Sequence, residues 1–215
     1  MLEYTKYAKN PNIAPSKLVV MLHGYGSNKD DLITLSPELS NFLPGALFVS
    51  PDAPFCFEGM PNSEAKQWFS LLDRSKNALI DEMKMAENYI VDFISAQLNK
   101  YNLSEDDLCL LGFSQGTMLS LYLIMQSLVT PKLVVGYSGR LFGNNWKCGN
   151  KHKKTKVMLI HGKEDDIVTV EDMLSTTEEL KKYGFDTNHF ISRHLAHGID
   201  DDGINLGGKF LKDNF

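Results

Sequence analysis

Leu108-Cys109-Leu110-Leu111-Gly112-Phe113-Ser114-Gln115-Gly116 is a short apolar run that ends in a Gly-x-Ser-x-Gly turn and opens onto a long apolar segment, Met118 to Leu128. The run has strand length and the segment after it the length of a buried helix, so the stretch reads as strand, sharp turn, helix. Ser114 then stands at the tip of the turn, where backbone strain exposes its hydroxyl. Gly112 and Gly116 leave room for neighbouring backbone to approach. Such a turn presents a nucleophile. A glycine-bounded turn carrying an inert serine is the competing reading, and the remainder of the chain has to choose between them.

Working outward, the same alternation recurs. Leu18 to Leu22 is a continuous apolar run that suits a parallel strand covered on both faces, and it leads into the Gly-rich loop His23-Gly24-Tyr25-Gly26-Ser27-Asn28. Leu32, Leu35, Leu39 and Phe42 follow at helical spacing, closed by Pro44-Gly45. Ala46 to Ser50 is the next strand; Leu79, Met83, Ile90, Ile94 and Leu98 mark one stripe of a long amphipathic helix. After the central stretch, Leu133 to Tyr137, Val157 to Ile160 and Thr187 to Ser192 read as strands. Thr169 with Asp172 makes a capping box for a helix that Gly184 ends, and Asp200, Asp201 and Asp202 open a closing helix through Phe210. Leu2 to Tyr7 forms an edge strand. The pattern predicts an α/β fold, a mostly parallel central sheet with helices on both faces, and the chain 1–215 as a single domain. In such sheets chemistry lies beyond the carboxyl ends of the strands, and Tyr25, Ser114, Asp165 and His197 all follow predicted strands.

Composition narrows the function. The chain has 215 residues, 43% hydrophobic and 23% charged, with a formal net charge of -5. Those values suit an ordinary globular protein and argue against a general nucleic-acid binder. Lys147, Lys151, Lys153 and Lys154 with His152 form a local basic cluster that reads as a solvated loop. Cys56, Cys109 and Cys148 are odd in number and show no metal-binding spacing, which points to a reducing compartment and no metal. With no signal-peptide layout at the amino terminus and no apolar run of membrane-spanning length, the expected location is cytoplasmic.

One segment departs from the alternation. From Pro51 to about residue 75, Pro51, Pro54, Gly59 and Pro61 break regular structure, yet the segment carries Phe55, Phe57, Trp68, Phe69 and Leu71. Long irregular excursions inside domains are often functional. These side chains are expected to supply part of an acyl-binding surface, with cover for a sheet edge as the alternative. Trp146, in the polar loop before Thr155, reads as a packing residue.

A serine hydroxyl needs a general base within reach and a third group to hold that base's tautomer. Asp165 and His197 follow Ser114 in the chain order of an α/β-hydrolase. The whole set of motifs, Leu22-His23-Gly24-Tyr25-Gly26, Pro51-Asp52-Ala53-Pro54, Trp68-Phe69, Gly112-Phe113-Ser114-Gln115-Gly116, Ser138-Gly139, His161-Gly162-x-x-Asp165 and His197-Gly198-Ile199, resembles the carboxylesterase/phospholipase family of α/β-hydrolases, which includes acyl-protein thioesterases and small bacterial esterases. By that resemblance Ser114 is the nucleophile, Asp165 the acid, His197 the base, and the backbone N–H groups of Tyr25 and Gln115 form the oxyanion hole. The implied activity is cleavage of esters or thioesters of small to medium acyl groups through an acyl-enzyme, with no cofactor. The implied partner is a small-molecule or lipid-like acyl ester, with an acylated protein and a homodimer left open. Lysophospholipase, peptidase or other acyl transfer on the same triad, and a catalytically idle binding protein, are the rival readings. Tyr25 stands where the family commonly has Leu, and Lys163-Glu164-Asp165-Asp166 replaces its more usual Asp-x-Asp-Pro. Both departures bear on substrate preference more than on catalysis. His23 and His161 are expected to be structural.

Overall fold

A computed structural model describes residues 2–143, 146–148 and 154–215. Its strands are β1 (Tyr4–Ala8), β2 (Lys17–Leu22), β3 (Ala46–Pro51), β4 (Phe55–Cys56), β5 (Lys66–Gln67), β6 (Leu108–Phe113), β7 (Leu133–Tyr137), β8 (Lys156–Gly162) and β9 (Asp186–Ser192). The helices are α1 (Ser36–Phe42), α2 (Lys76–Tyr101), α3 (Gln115–Met125), α4 (Val170–Lys182) and α5 (Asp201–Asn214).

The apolar runs become strands because both of their faces are covered. Successive strand residues point to opposite sides. In β2, Leu18, Val20 and Leu22 enter one hydrophobic cluster while Val19 and Met21 enter another. In β6, Leu108 and Leu110 likewise oppose Cys109 and Leu111. Helices α2, α3 and α4 seal the first cluster with Met83, Ile90, Leu119, Leu123, Met173 and Leu180. Helices α1 and α5 seal the second with Leu39, Ile204, Phe210 and Leu211. The seven main strands run in the order β1-β3-β2-β6-β7-β8-β9. Only β1 is antiparallel to its neighbour, and the rest pair in parallel, as a sheet covered by helices on both faces requires. This is the α/β-hydrolase arrangement. β6, which delivers Ser114, is the central strand.

Three local expectations shift. The helix expected from Leu32 to Phe42 is divided into a 3-10 turn, Leu32–Leu35, and α1, because Pro37 has no N–H and fits only a first helical turn. The helix after the elbow begins directly at Gln115 and closes at Met125. Ser127 adopts φ 61° and the Leu128 N–H turns back to the Leu123 carbonyl at 3.0 Å, which ends the helix early. The irregular segment contains a small antiparallel pair, β4 with β5, in which Phe55 lies opposite Gln67. Two-residue strands leave no period to read in a sequence. Trp146 packs half-buried against the main core. Of the basic cluster, Lys147 and Lys154 are exposed, whereas Lys151, His152 and Lys153 lie outside the described residues. No described helix is long and apolar enough to cross a membrane.

Candidate active site

The backbone at Ser114 has φ 50° and ψ -111°, a conformation costly for a residue with a side chain and worth about 1–3 kcal/mol of strain. Its neighbours hold it there. The Ser114 N–H donates to the Tyr137 carbonyl at 2.9 Å, extending the β6–β7 ladder one residue past β6. Helix α3 starts at once, so the chain reverses within a single residue. The flanking glycines are forced by this geometry. A Cβ on Gly112 would lie 2.4 Å from the Thr117 nitrogen, and one on Gly116 would lie 1.9 Å from the Leu22 carbonyl oxygen. The turn is therefore wedged against the end of β2.

Asp165 sits just past β8 with its side chain wholly buried. Its Oδ1 accepts the Ile167 and Val168 N–H groups at 3.0 and 2.9 Å, and its Oδ2 accepts from His197 Nδ1 at 2.8 Å. A carboxylate can only accept there, so the proton of the neutral imidazole is on Nδ1 and Nε2 keeps its lone pair. Among the three adjacent acids, only Asp165 reaches His197: Glu164 lies 3.8 Å from the exposed His194, and Asp166 is exposed. The loop bearing His197 is fixed to the same strand end. Lys163 N–H donates to the Ser192 carbonyl at 2.8 Å and Glu164 N–H to the Leu195 carbonyl at 2.9 Å. A Cβ on Gly162 would strike the Leu195 and Ala196 carbonyl oxygens at 2.2 Å. From β7, the Ser138 hydroxyl donates to the Gly198 carbonyl at 3.2 Å. The imidazole itself rests against the Phe113 ring, centroids 5.1 Å apart. The remaining link, from the Ser114 hydroxyl to the imidazole, is not closed by a hydrogen bond, as is common before substrate arrives.

Opposite the elbow lies the loop after β2. A Cβ on Gly24 would stand 3.7 Å from the Ser114 Cβ, which places this loop directly across from Ser114. Gly26 takes φ 78° to turn it. Gln115 is the first residue of α3, so its N–H has no intrahelical acceptor, and no hydrogen bond from the Tyr25 N–H is found among the described residues. These are the two amides that the family resemblance implies for an oxyanion hole. His23 is buried beneath them; its Nε2 accepts the Ala53 N–H at 3.1 Å and its Nδ1 donates to the Gly24 carbonyl at 2.8 Å. Burial pushes its pKa down, consistent with a neutral bracing role. His161 is equally buried and donates from Nε2 to the Val168 carbonyl at 2.6 Å, steadying the loop that carries Asp165.

The substrate-surface expectation is corrected for two residues. Trp68 and Phe69 have no exposed surface, and Trp68 Nε1 donates to the His23 carbonyl at 3.0 Å, so both are core side chains. Phe55, Phe57 and Leu71 are half-buried. A cavity of about 210 Å³ adjoins the end of β6 and is lined by Asp31, Leu32, Thr34, Leu35, Phe113 and Ile199, none of which the sequence singled out for substrate. Phe113 and Ile199 flank the elbow and the His197 loop, a position that could have drawn notice. A larger cavity, about 560 Å³, opens at the amino ends of the strands, between the β1–β2 loop and the start of β3. Sequence reasoning also missed the Gln115 side chain. Its Oε1 accepts the Trp68 N–H at 2.8 Å and its Nε2 donates to the Phe69 carbonyl at 2.7 Å, clamping the irregular segment to the elbow.

The sequence model of the phospholipase/carboxylesterase family matches residues 6–214. The chain belongs to that family. Among relatives, it is 24% identical over 195 residues to esterase YpfH of Escherichia coli strain K12, covering 89% of this chain and 80% of that protein. It is 25% identical over 206 residues to acyl-protein thioesterase 1 homolog 1 of Dictyostelium discoideum, covering 91% and 89%. In three dimensions it resembles the crystal structure of esterase PE8 with a TM-score of 0.86 and 29% identity, over 100% of this chain and 99% of that one. Family membership thus extends over both strand-end loops of the candidate site as well as the elbow.

Proposed function

We propose that the chain, acting as one α/β-hydrolase domain, cleaves carboxylic esters or thioesters through an acyl-enzyme on Ser114. The observation that carries this is the buried Asp165 carboxylate holding His197 Nδ1 at 2.8 Å beside a strained serine elbow. His197 Nε2 takes the Ser114 proton as the hydroxyl attacks the carbonyl carbon, then returns it to the departing alcohol or thiol. A water activated by the same nitrogen releases the acid. The Tyr25 and Gln115 amides receive the oxyanion of both tetrahedral intermediates, in each of which charge develops on the former carbonyl oxygen. Likeness to an esterase and to an acyl-protein thioesterase supports the ester and thioester classes.

The cavity beside Phe113 and Ile199 takes one side of the substrate, and its volume favours a small or medium group. Phe55, Phe57 and Leu71 form an apolar flank for the other side. The protein works in the cytoplasm on a small-molecule or lipid-like acyl ester. Reaction with a fluorophosphonate probe tests the proposal: it should label wild-type protein at Ser114 and leave Ser114→Ala unlabelled. Removal of a nucleophile from such a unit costs on the order of 10⁶ in kcat. Absence of labelling on folded wild-type protein would remove the hydrolase assignment.

A further inference from the structure

Glu58 lies in the irregular segment, and nothing in the mechanism above uses it. Its carboxylate nevertheless gathers four donors. Oε1 accepts from the Tyr25 hydroxyl and from the Leu71 N–H at 3.0 Å. Oε2 accepts from the Ser70 hydroxyl at 2.6 Å and from Gln67 Nε2 at 3.2 Å. The Glu58 N–H donates in turn to Gln67 Oε1 at 2.8 Å. Burial alone would raise the carboxyl's pKa, but the bonds from Ser70, Tyr25, Leu71 and Gln67 outweigh it and hold the group at about 2. It is therefore an anion at any working pH, and four donors on one anion make a stiff node.

The partner that matters is Tyr25, whose backbone N–H is one of the two proposed oxyanion donors. Its ring also stands edge-on against Phe57, centroids 4.8 Å apart, and Gly26 packs against the same ring. The backbone beside it is tied to β5: Gly26 N–H donates to the Lys66 carbonyl at 2.9 Å and Lys66 N–H to the Ser27 carbonyl at 2.7 Å. The other proposed oxyanion donor, Gln115, is gripped by the same segment through Trp68 and Phe69. One stretch of chain, residues 55 to 71, thus touches the residues bearing both amides.

We propose that Glu58 is a positioning residue that latches this segment to the loop after β2 through the Tyr25 hydroxyl, and so sets where the Tyr25 amide points. The proposal rests on the hydrolase function given above. Tyr25, which replaces the family's common Leu, is the residue that makes such a latch available. Glu58→Ala removes the carboxylate that accepts from the Tyr25 hydroxyl, and Tyr25→Phe removes the hydroxyl while keeping the ring packed on Phe57.

In each variant kcat on a short-chain ester should fall about tenfold with KM changed less than twofold, because a displaced oxyanion donor weakens transition-state contacts more than ground-state ones. The double variant should be no worse than Glu58→Ala alone, since both changes break the same Tyr25 link. Amide exchange at residues 24–27 should accelerate in all three variants, while β6 amides keep their wild-type rates. Kcat within twofold of wild type in both single variants, an additive double variant, or unchanged exchange at residues 24–27 would each overturn the latch. If wild-type protein neither hydrolyses an ester nor takes a fluorophosphonate, the hydrolase function fails, and the exchange comparison alone then decides whether the latch exists.

Discussion

Gly116→Ala sets two well-known effects against each other. Gly116 lies in the first turn of α3, and alanine is the better helix former by about 1 kcal/mol, so propensity alone predicts a more stable protein. The added Cβ, however, would sit 1.9 Å from the Leu22 carbonyl oxygen, 2.5 Å from its carbon and 2.9 Å from the His23 oxygen. All three are backbone atoms of a central strand end, which cannot rotate away as a side chain would. Relief requires α3 and β2 to separate by at least about 1 Å, and overpacking of this kind costs about 1–3 kcal/mol. The net change should be a loss of up to about 2 kcal/mol. The catalytic cost should be larger, because the separation moves Ser114 and Gln115 away from the Tyr25 loop, and a displacement of about 1 Å can reduce rate on the order of 10²-fold. Urea unfolding followed by tryptophan fluorescence reads the first quantity, and ester turnover by the folded variant reads the second. A Gly116→Ala protein at least as stable as wild type with unchanged kcat would show that the wedge between α3 and β2 does not exist.

Other consequences can be checked in parallel. Asp165→Asn would keep its carbonyl oxygen on the Ile167 and Val168 amides and turn its NH2 toward His197, moving the imidazole proton to Nε2 beside Ser114; kcat should fall on the order of 10⁴, and a larger loss in Asp166→Asn would reassign the acid. Trp68→Ala should cost about 3–5 kcal/mol in urea unfolding, because it empties a fully buried site and strands the His23 carbonyl, whereas a loss under about 1 kcal/mol would return Trp68 to the substrate surface. The folded pKa of His23 lies below its ordinary 6.5, so the unfolded chain binds the extra proton first. Its contribution to stability should accordingly decline as pH falls through about 6.5, by at most about 1.4 kcal/mol per pH unit, and histidine-resolved NMR showing His23 protonated at pH 7 would contradict this.

The main strands and the elbow could be read from sequence because each depends on a few adjacent residues. Leu18 to Leu22 and Leu108 to Leu111 are apolar at every position, which only a doubly covered strand explains. The choice of Asp165 over its neighbours came from the His-Gly-x-x-Asp pattern of the family that the chain resembles, and the structure sets the Asp165 carboxylate against His197. What escaped was what depends on distant partners. Gln115 holds Trp68 and Phe69 across more than forty intervening residues, and Glu58 gathers Tyr25, Gln67, Ser70 and Leu71 from both sides of itself. Neither residue type announces such a role. Aromatic bulk at Trp68 and Phe69 suggested a surface because composition cannot tell a side chain that faces a substrate from one that faces the core; the clamp from Gln115 turns both inward. The cavity beside Phe113 was equally hidden, since its walls come from the 3-10 turn after β2 and from Ile199 at the far end of the chain.

The strand order also determines when the site can be assembled during folding. β6, β7, β8 and β9 are sequential neighbours, joined by pairings such as Cys109 with Leu133 and Lys156 with Asp186, and they carry Ser114, Asp165 and His197. β2 reaches β6 through pairings such as Leu18 with Leu108, a closure spanning nearly half the chain. Such a closure adds little equilibrium cost, since each doubling of loop length costs only about 0.6 kcal/mol, but non-local pairing is slow to form. Ser114, Asp165 and His197 should therefore come together before the Tyr25 loop docks, and pulse-labelled exchange should protect residues 108–113 and 156–162 earlier than residues 17–22. A full-length chain refolding from denaturant would pass through a stage in which Ser114 already has His197 beside it but lacks the Tyr25 loop, so that hydrolysis should begin only when the amino-terminal half docks.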